Sequence, residues 1–237
     1  MGVVVSGCNA HVFSPPARAF NADGPAVLGE GKTEIQGQFA LGGKVFGGGY
    51  YTGKLHVRHG LSDELDITVD TGAVVVETER TNRNFSVAGD ESKTEQWPIY
   101  AARVGVQWSP KGGAGHIGLT GGLGGGYSDG GGFASPDVGF SIGYNNPYVV
   151  PYFSMTGFLS IPIAPQGIDV SRLDEPADIQ EPEFSFGVEG TVGIRGKIAV
   201  NESQQLVIMA GASMTILKDF VETDAFMSYV LSLGYRF

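Results

Sequence analysis

From about Thr33 to Phe237, apolar residues recur with a period of two. That period puts successive side chains on opposite faces of an extended strand. Helical spacing is sustained nowhere, so the chain is confined to an all-β architecture. The C-terminus is the clearest case. Met227, Tyr229, Leu231, Leu233, Tyr235 and Phe237 alternate with Ser228, Val230, Ser232, Gly234 and Arg236. The pattern returns in Phe184, Phe186, Val188, Val192 and Ile194 against Ser185, Gly187, Glu189, Thr191, Gly193 and Arg195, and in Ile117, Leu119 and Leu123 against His116, Thr120 and glycines.

Ten such segments are expected, near 33–46, 50–59, 65–78, 97–108, 116–127, 137–144, 148–160, 184–198, 205–217 and 224–237. Many exceed the ~5 to 6 residues of soluble strands and match the ~9 to 11 that cross a bilayer at a tilt. Short connections at Gly60–Glu64, Ser109–Gly115, Asn145–Pro147 and Val200–Gln204 contrast with longer ones at Arg80–Gln96 and Ile161–Glu183. Transmembrane barrels combine short periplasmic turns with longer extracellular loops. The expected fold is therefore an antiparallel up-and-down transmembrane β-barrel of about ten strands over residues 32–237. A β-sandwich or lipocalin-like barrel is the soluble alternative, and it would turn the large residues inward and the glycine-rich set outward. Charged residues make up only 17% of the chain, against roughly 25% in ordinary soluble domains. The net charge of −10 opposes nucleic acid as a partner, which requires clustered Lys and Arg.

If the apolar face meets lipid, the polar face lines the lumen. The lumen-lining candidates are Lys54, His56, Arg58, Asp66, Asp70, Arg103, His116, Glu189 and Arg195, joined by Glu34, Gln36, Gln38, Gln107 and Lys197. A hairpin closed by Gly60–Glu64 would set Arg58 opposite Asp66 and Lys54 opposite Asp70, both favourable cross-strand pairs. The 38 glycines are about twice the ~7% share of globular proteins. Several fall on the inward face, and would leave room for long side chains from the opposite wall, for residues 9–31, or for a thin water path.

Residues 9–31 are polar and rich in proline and read as a periplasmic tether or plug. The run Gly121–Gly126 lies within a strand pattern with no helix after it, unlike a phosphate-binding loop. His11, His56, His59 and His116 lack metal-ligand spacing, and His56 and His59 should face opposite ways. With the single Cys8, no cofactor or metal site is expected. The acidic loop Ile161–Glu183 reads as a solvated loop that could bridge to lipopolysaccharide through divalent ions.

The strand repeat and the tail Tyr229, Leu231, Leu233, Tyr235 and Phe237 resemble the outer-membrane β-barrel superfamily of Gram-negative bacteria. The resemblance implies that Tyr235 and Phe237 form an assembly signal read by the barrel-assembly machinery, and that the surroundings are outer-membrane lipids and lipopolysaccharide. With an even strand count, both termini would be periplasmic. Val3, Val4, Val5, Ser6, Gly7 and Cys8 resemble the end of a bacterial lipoprotein signal, which implies that residues 1–8 are a signal remnant and that Cys8 carries lipid in the inner leaflet. The alternative for Cys8 is a buried thiol in a chance apolar N-terminus. The expected function is a non-enzymatic, structural or porin-like barrel with a narrow passive solute path. The runner-up is a surface module whose long loops contact a protein partner. A lipid-modifying barrel enzyme is opposed by the absence of His or Cys from the long outer loops.

Overall fold

The computed structural model describes residues 14–18, 20–21, 23–44, 49–81, 92–110, 115–144, 146, 148–169, 177–218 and 223–237. Its strands are β1 (Thr33–Lys44), β2 (Gly49–Gly60), β3 (Leu65–Thr81), β4 (Ser92–Trp108), β5 (Gly115–Ser128), β6 (Gly131–Tyr144), β7 (Val149–Pro165), β8 (Ile168–Asp169), β9 (Ile179–Gln180), β10 (Ser185–Ala199), β11 (Gln205–Lys218) and β12 (Thr223–Arg236). Ten of them close an antiparallel up-and-down barrel in which β1 pairs with β12, while β8 and β9 form a separate two-stranded ladder in the β7–β10 connection. Closure leaves no unpaired sheet edge. It is completed by Thr33 N donating to Phe237 O at 2.8 Å and Phe237 N donating back to Thr33 O at 2.9 Å. The rim that holds these two residues also carries the turns after β2, β4, β6 and β10, and we call it the terminal rim.

Large apolar side chains cover the outside. Val104, Leu119, Leu123, Val138, Ile142, Leu231 and Leu233 form an aliphatic band. Trp108, Tyr144, Tyr148, Tyr235 and Phe237 edge it at the terminal rim, and Tyr100, Tyr127 and Phe186 edge it towards the other. Tyr100 and Tyr127 are direct cross-strand partners. An apolar band between two aromatic girdles is the exterior that a bilayer selects. A water-soluble barrel would reverse the two faces, so the sandwich and lipocalin-like alternatives fall.

Two expectations are corrected. The β2–β3 register is offset by two residues: Arg58 lies opposite Thr68, His56 opposite Asp70, Lys54 opposite Gly72 and Gly60 opposite Asp66. The turn is displaced by one position along the chain, because Leu61 N and Ser62 N both donate to Leu65 O and Ser62 Oγ accepts from Glu64 N at 3.2 Å. A two-residue offset preserves the faces, so the inward set is unchanged while its direct partners differ. Secondly, β6 begins at Gly131 and not near 137, and β7 runs on to Pro165. In this extra stretch of β6 the alternation is inverted. Phe133 is the large residue and is buried, while Gly132, Ala134 and Pro136 hold the other positions.

Candidate functional site: an occupied lumen

Residues 14–18, 20–21 and 23–31 occupy the barrel interior. The segment starts at the rim away from Phe237, where Ser14 N donates to Glu183 O at 3.1 Å and Ser185 Oγ donates to Ser14 O at 2.6 Å. It ends at the terminal rim, where Gly31 N donates to Gly60 O at 2.9 Å. Gly29 and Gly31, with φ of 91° and 74°, supply the left-handed backbone that turns the segment into β1. The described chain therefore begins on the rim opposite its C-terminus, although β1 and β12 meet at one rim. The expectation that both termini are periplasmic involves residues 1–13, which lie outside the described residues; within those described, the lumen segment carries the chain back across the barrel.

A buried extended segment without a ladder must satisfy its backbone by other means. Here the wall side chains do it. Lys54 Nζ donates to Phe20 O at 3.0 Å, Gln107 Nε2 to Gly24 O at 2.8 Å and Arg58 Nη2 to Ala26 O at 3.0 Å. Carboxylates accept in the other direction. Leu28 N donates to both oxygens of Asp66, at 3.1 and 3.0 Å, and Asn21 N donates to Glu189.

The fit also depends on the glycine wall. A Cβ on Gly118 would lie 2.7 Å from Pro25 O, and one on Gly124 would lie 2.5 Å from Ala17 Cβ. On the same wall, a Cβ on Gly122 would meet the Arg103 guanidinium at 2.4 Å. The inward glycines thus accommodate both the segment and a long side chain.

Charges of both signs meet around Asp70. Its carboxylate lies 2.7 Å from His56 Nδ1, 3.4 Å from Lys54 Nζ, 3.3 Å from Arg103 Nη1 and 3.8 Å from Arg18 Nε. The other His56 nitrogen lies 2.8 Å from Asp23 Oδ1 of the lumen segment, and Arg18 pairs with the same Asp23. Arg103 is also forked onto Asp137, with Nη2 2.6 Å from Oδ1. Arg58 pairs with Asp66 at 2.6 Å. Near the terminal rim, Glu34 is shared by Arg195 and Arg236, the latter at 2.8 Å. Glu189 additionally accepts from Thr191 and Ser213 at 2.7 and 3.2 Å.

Lys54, His56, Arg58, Asp66, Asp70, Arg103, Glu189 and Arg195 thus all face the occupied lumen, and His116 lines a cavity below them. His59 is on the outer face with its Nδ1 2.9 Å from Thr33 Oγ1, opposite in direction to His56. Tyr235 and Phe237 lie on the exterior with ring centroids 6.2 Å apart. Cys8 lies outside the described residues. Among the described residues no group of three His, Cys, Asp or Glu is placed to hold a metal.

Arg18, Phe20, Asp23 and Asp137 are lumen residues that sequence reasoning did not single out. Phe20 is fully buried in a cluster with Ala40, Tyr152, Met209 and Val230, and Lys54 Nζ stands 4.2 Å over its ring, a cation–π distance. The available signal was apolar residues on faces that should have been polar, Val207, Met209 and Val230 among them. An apolar patch on an inner wall implies something apolar inside.

Arg58 and Asp66 are both fully buried. Truncating one partner of such a pair typically costs ~3 to 5 kcal/mol, because the other charge stays buried and unpaired. Asp66→Ala is expected to lose that much in denaturant unfolding in detergent micelles, and Arg58→Met with Asp66→Leu to recover only part of it, because Leu28 N and Ala26 O lose their partners.

An apolar exterior between aromatic girdles and an ion-paired interior define the class of protein: a transmembrane β-barrel with an internally occupied lumen. No described protein family and no curated protein matches the sequence. Among solved structures, the chain is similar to the β domain of the Bordetella autotransporter BrkA, with TM-score 0.49 and 11% identity over 88% of this chain and 99% of that one. It is similar to the translocator domain of the autotransporter NalP from Neisseria meningitidis, with TM-score 0.43 and 12% identity over 88% and 89%. It is also similar to the outer membrane protease OmpT from Escherichia coli, with TM-score 0.39 and 8% identity over 87% and 95%.

Proposed function

We propose that the protein is an integral outer-membrane β-barrel without enzymatic turnover, closed at rest by its own residues 14–31, and that it acts as a structural element or as a narrow solute path opened by movement of that segment. The observation that carries this reading is the buried contact set between segment and wall. Arg18, Phe20, Asn21, Asp23 and Leu28 are all buried against strand residues. His56 is taken up between Asp23 and Asp70 beneath the segment, which supports a clamping role over a catalytic one. Fractionation of a Gram-negative host should find the chain in the outer membrane, with a tag after Phe237 shielded from external protease. Recovery in the soluble fraction would contradict it.

Outer-membrane lipid and lipopolysaccharide are the surroundings that the apolar band calls for. The barrel-assembly machinery is the partner that the exposed Tyr235 and Phe237 suit. Deleting Phe237 is expected to cut outer-membrane yield severalfold, with chain retained in the periplasm, while the stability of the barrel that does assemble changes little. Unchanged yield would count against an assembly role.

A lipid on Cys8 remains part of this proposal, with its leaflet revised. The six residues of chain from Cys8 to Ser14 reach at most roughly 22 Å, less than the ~30 Å hydrocarbon core. Since Ser14 sits at the rim away from Phe237, the lipid belongs to the leaflet at that rim. Mass spectrometry of the native N-terminal peptide is expected to show an acylated Cys8, and an unmodified peptide beginning before it would remove this element.

A further inference from the structure

The lumen is not filled to the terminal rim. Below the ion-paired layer lies a cavity of about 330 Å³, roofed by lumen-segment residues 24–29 and walled by Ser109, His116, Val150, Arg195, Lys197 and Arg236, with Asp63 at its edge. Its size is at the lower end of the range for small-molecule sites, which combine apolar walls with a few convergent polar groups.

Its charge is unlike that of the chain. The protein carries −10 overall, yet three basic side chains, Arg195, Lys197 and Arg236, line this cavity, where Asp63 is the acidic member of the lining and Glu34 pairs with both arginines. Glu34 is bonded to both arginines, so one carboxylate serves two guanidiniums. Arg195 is almost completely buried, and its Nε has no hydrogen-bond partner, a state that costs free energy. The lining also has apolar members, with Leu28 and Val150 both buried, Val150 being the direct β7 partner of Arg195, and Pro25 among them.

We propose that this vestibule is a binding site for a small oxyanion, a carboxylate or a phosphate, with its charged end at Arg195, Lys197 and Arg236 and any short apolar portion against Pro25, Leu28 and Val150. Cations in a recess with low-dielectric walls concentrate anions, and guanidinium groups suit the planar or forked oxygens of these ligands. The site goes beyond the closed-barrel reading and rests on it in one respect, the seating of the lumen segment at the terminal rim. Because residues 24–29 form its roof, the ligand would also touch the lumen segment.

The test uses the full chain folded in uncharged detergent micelles, titrated calorimetrically with inorganic phosphate and, separately, with butyrate. Saturable binding of at least one probe is expected. Lys197→Gln should weaken it at least tenfold, and Lys44→Gln, which alters the cation paired with Asp224 at the other rim, should leave it unchanged. Phosphate alone would assign a phosphate-bearing ligand; butyrate alone would assign a carboxylate with an apolar tail. If Lys197→Gln does not fold, Arg236→Gln is measured in its place. No saturable binding of either probe, or equal affinity in the wild type and the vestibule variant, would overturn the proposal.

Discussion

A variant lacking residues 14–31 is expected to show discrete openings in planar bilayers, and the wild type no resolvable conductance. The strand ladder does not depend on the segment, because the barrel closes through β1 and β12 along their whole register and through the Thr33–Phe237 pair. What the segment supplies is volume and charge. It puts Phe20 into the inner apolar cluster, and its carbonyls occupy Lys54, Arg58 and Gln107. Without it those side chains would face water, which a polar lumen tolerates. Phe20→Asp gives a point-variant form of the same experiment, since an unpaired carboxylate in the apolar cluster should expel the segment without shortening the chain. Openings in either variant, absent from the wild type, are the expected result. Equal conductance in the wild type and both variants would show that the segment does not seal the lumen.

A large effect on stability is expected at Asp70. His56, Arg103, Lys54 and Arg18 all lie within 4 Å of its carboxylate, and these partners come from β2, β4 and the lumen segment. Asp70→Leu leaves several buried cations short of one shared anion, so a loss of about 3 to 5 kcal/mol is expected, read as a lowered denaturant midpoint in micelles. Asp224 offers the contrast. Its partner Lys44 is more than a third exposed, and exposed pairs contribute ~0.2 to 1 kcal/mol. Asp224→Asn should therefore shift the midpoint little, and added salt should erase that shift while leaving the Asp70→Leu deficit in place. Similar losses for the two variants would mean that the lumen is wet throughout.

Much of the barrel is legible in the sequence because lipid and lumen impose opposite chemistry on alternate residues. In β12, Met227 to Phe237 could face only one way. Register was less legible. Arg58 with Asp66 and Lys54 with Asp70 do form ion pairs, at 2.6 and 3.4 Å, but diagonally across the ladder, since long side chains reach over a two-residue offset. The start of β6 was illegible for a different reason: where a strand rises past the apolar band, its outer positions need not be large, and Gly132, Ala134 and Pro136 carry no signal. The occupant of the lumen was the hardest part. Residues 14–31 have no periodicity, because their partners are side chains of many strands and no ladder. The prolines of residues 9–31 left a plug or a tether open, and the inward glycines with the misplaced Val207, Met209 and Val230 recorded an occupant.

The central claim, that residues 14–31 lie inside the barrel against its glycine wall, is tested most directly by disulfide formation between Ala17→Cys and Gly124→Cys in a chain whose native Cys8 is replaced by Ser. A Cβ on Gly124 would stand 2.5 Å from Ala17 Cβ, so a small adjustment reaches the ~3.8 Å Cβ separation of a disulfide. Leu123→Cys, one residue away on the lipid face, is the matched control. Rapid cross-linking of the 17–124 pair is expected in the membrane-inserted protein, and none of the 17–123 pair. Free thiols at 17 and 124 that both react with an external water-soluble reagent would contradict it.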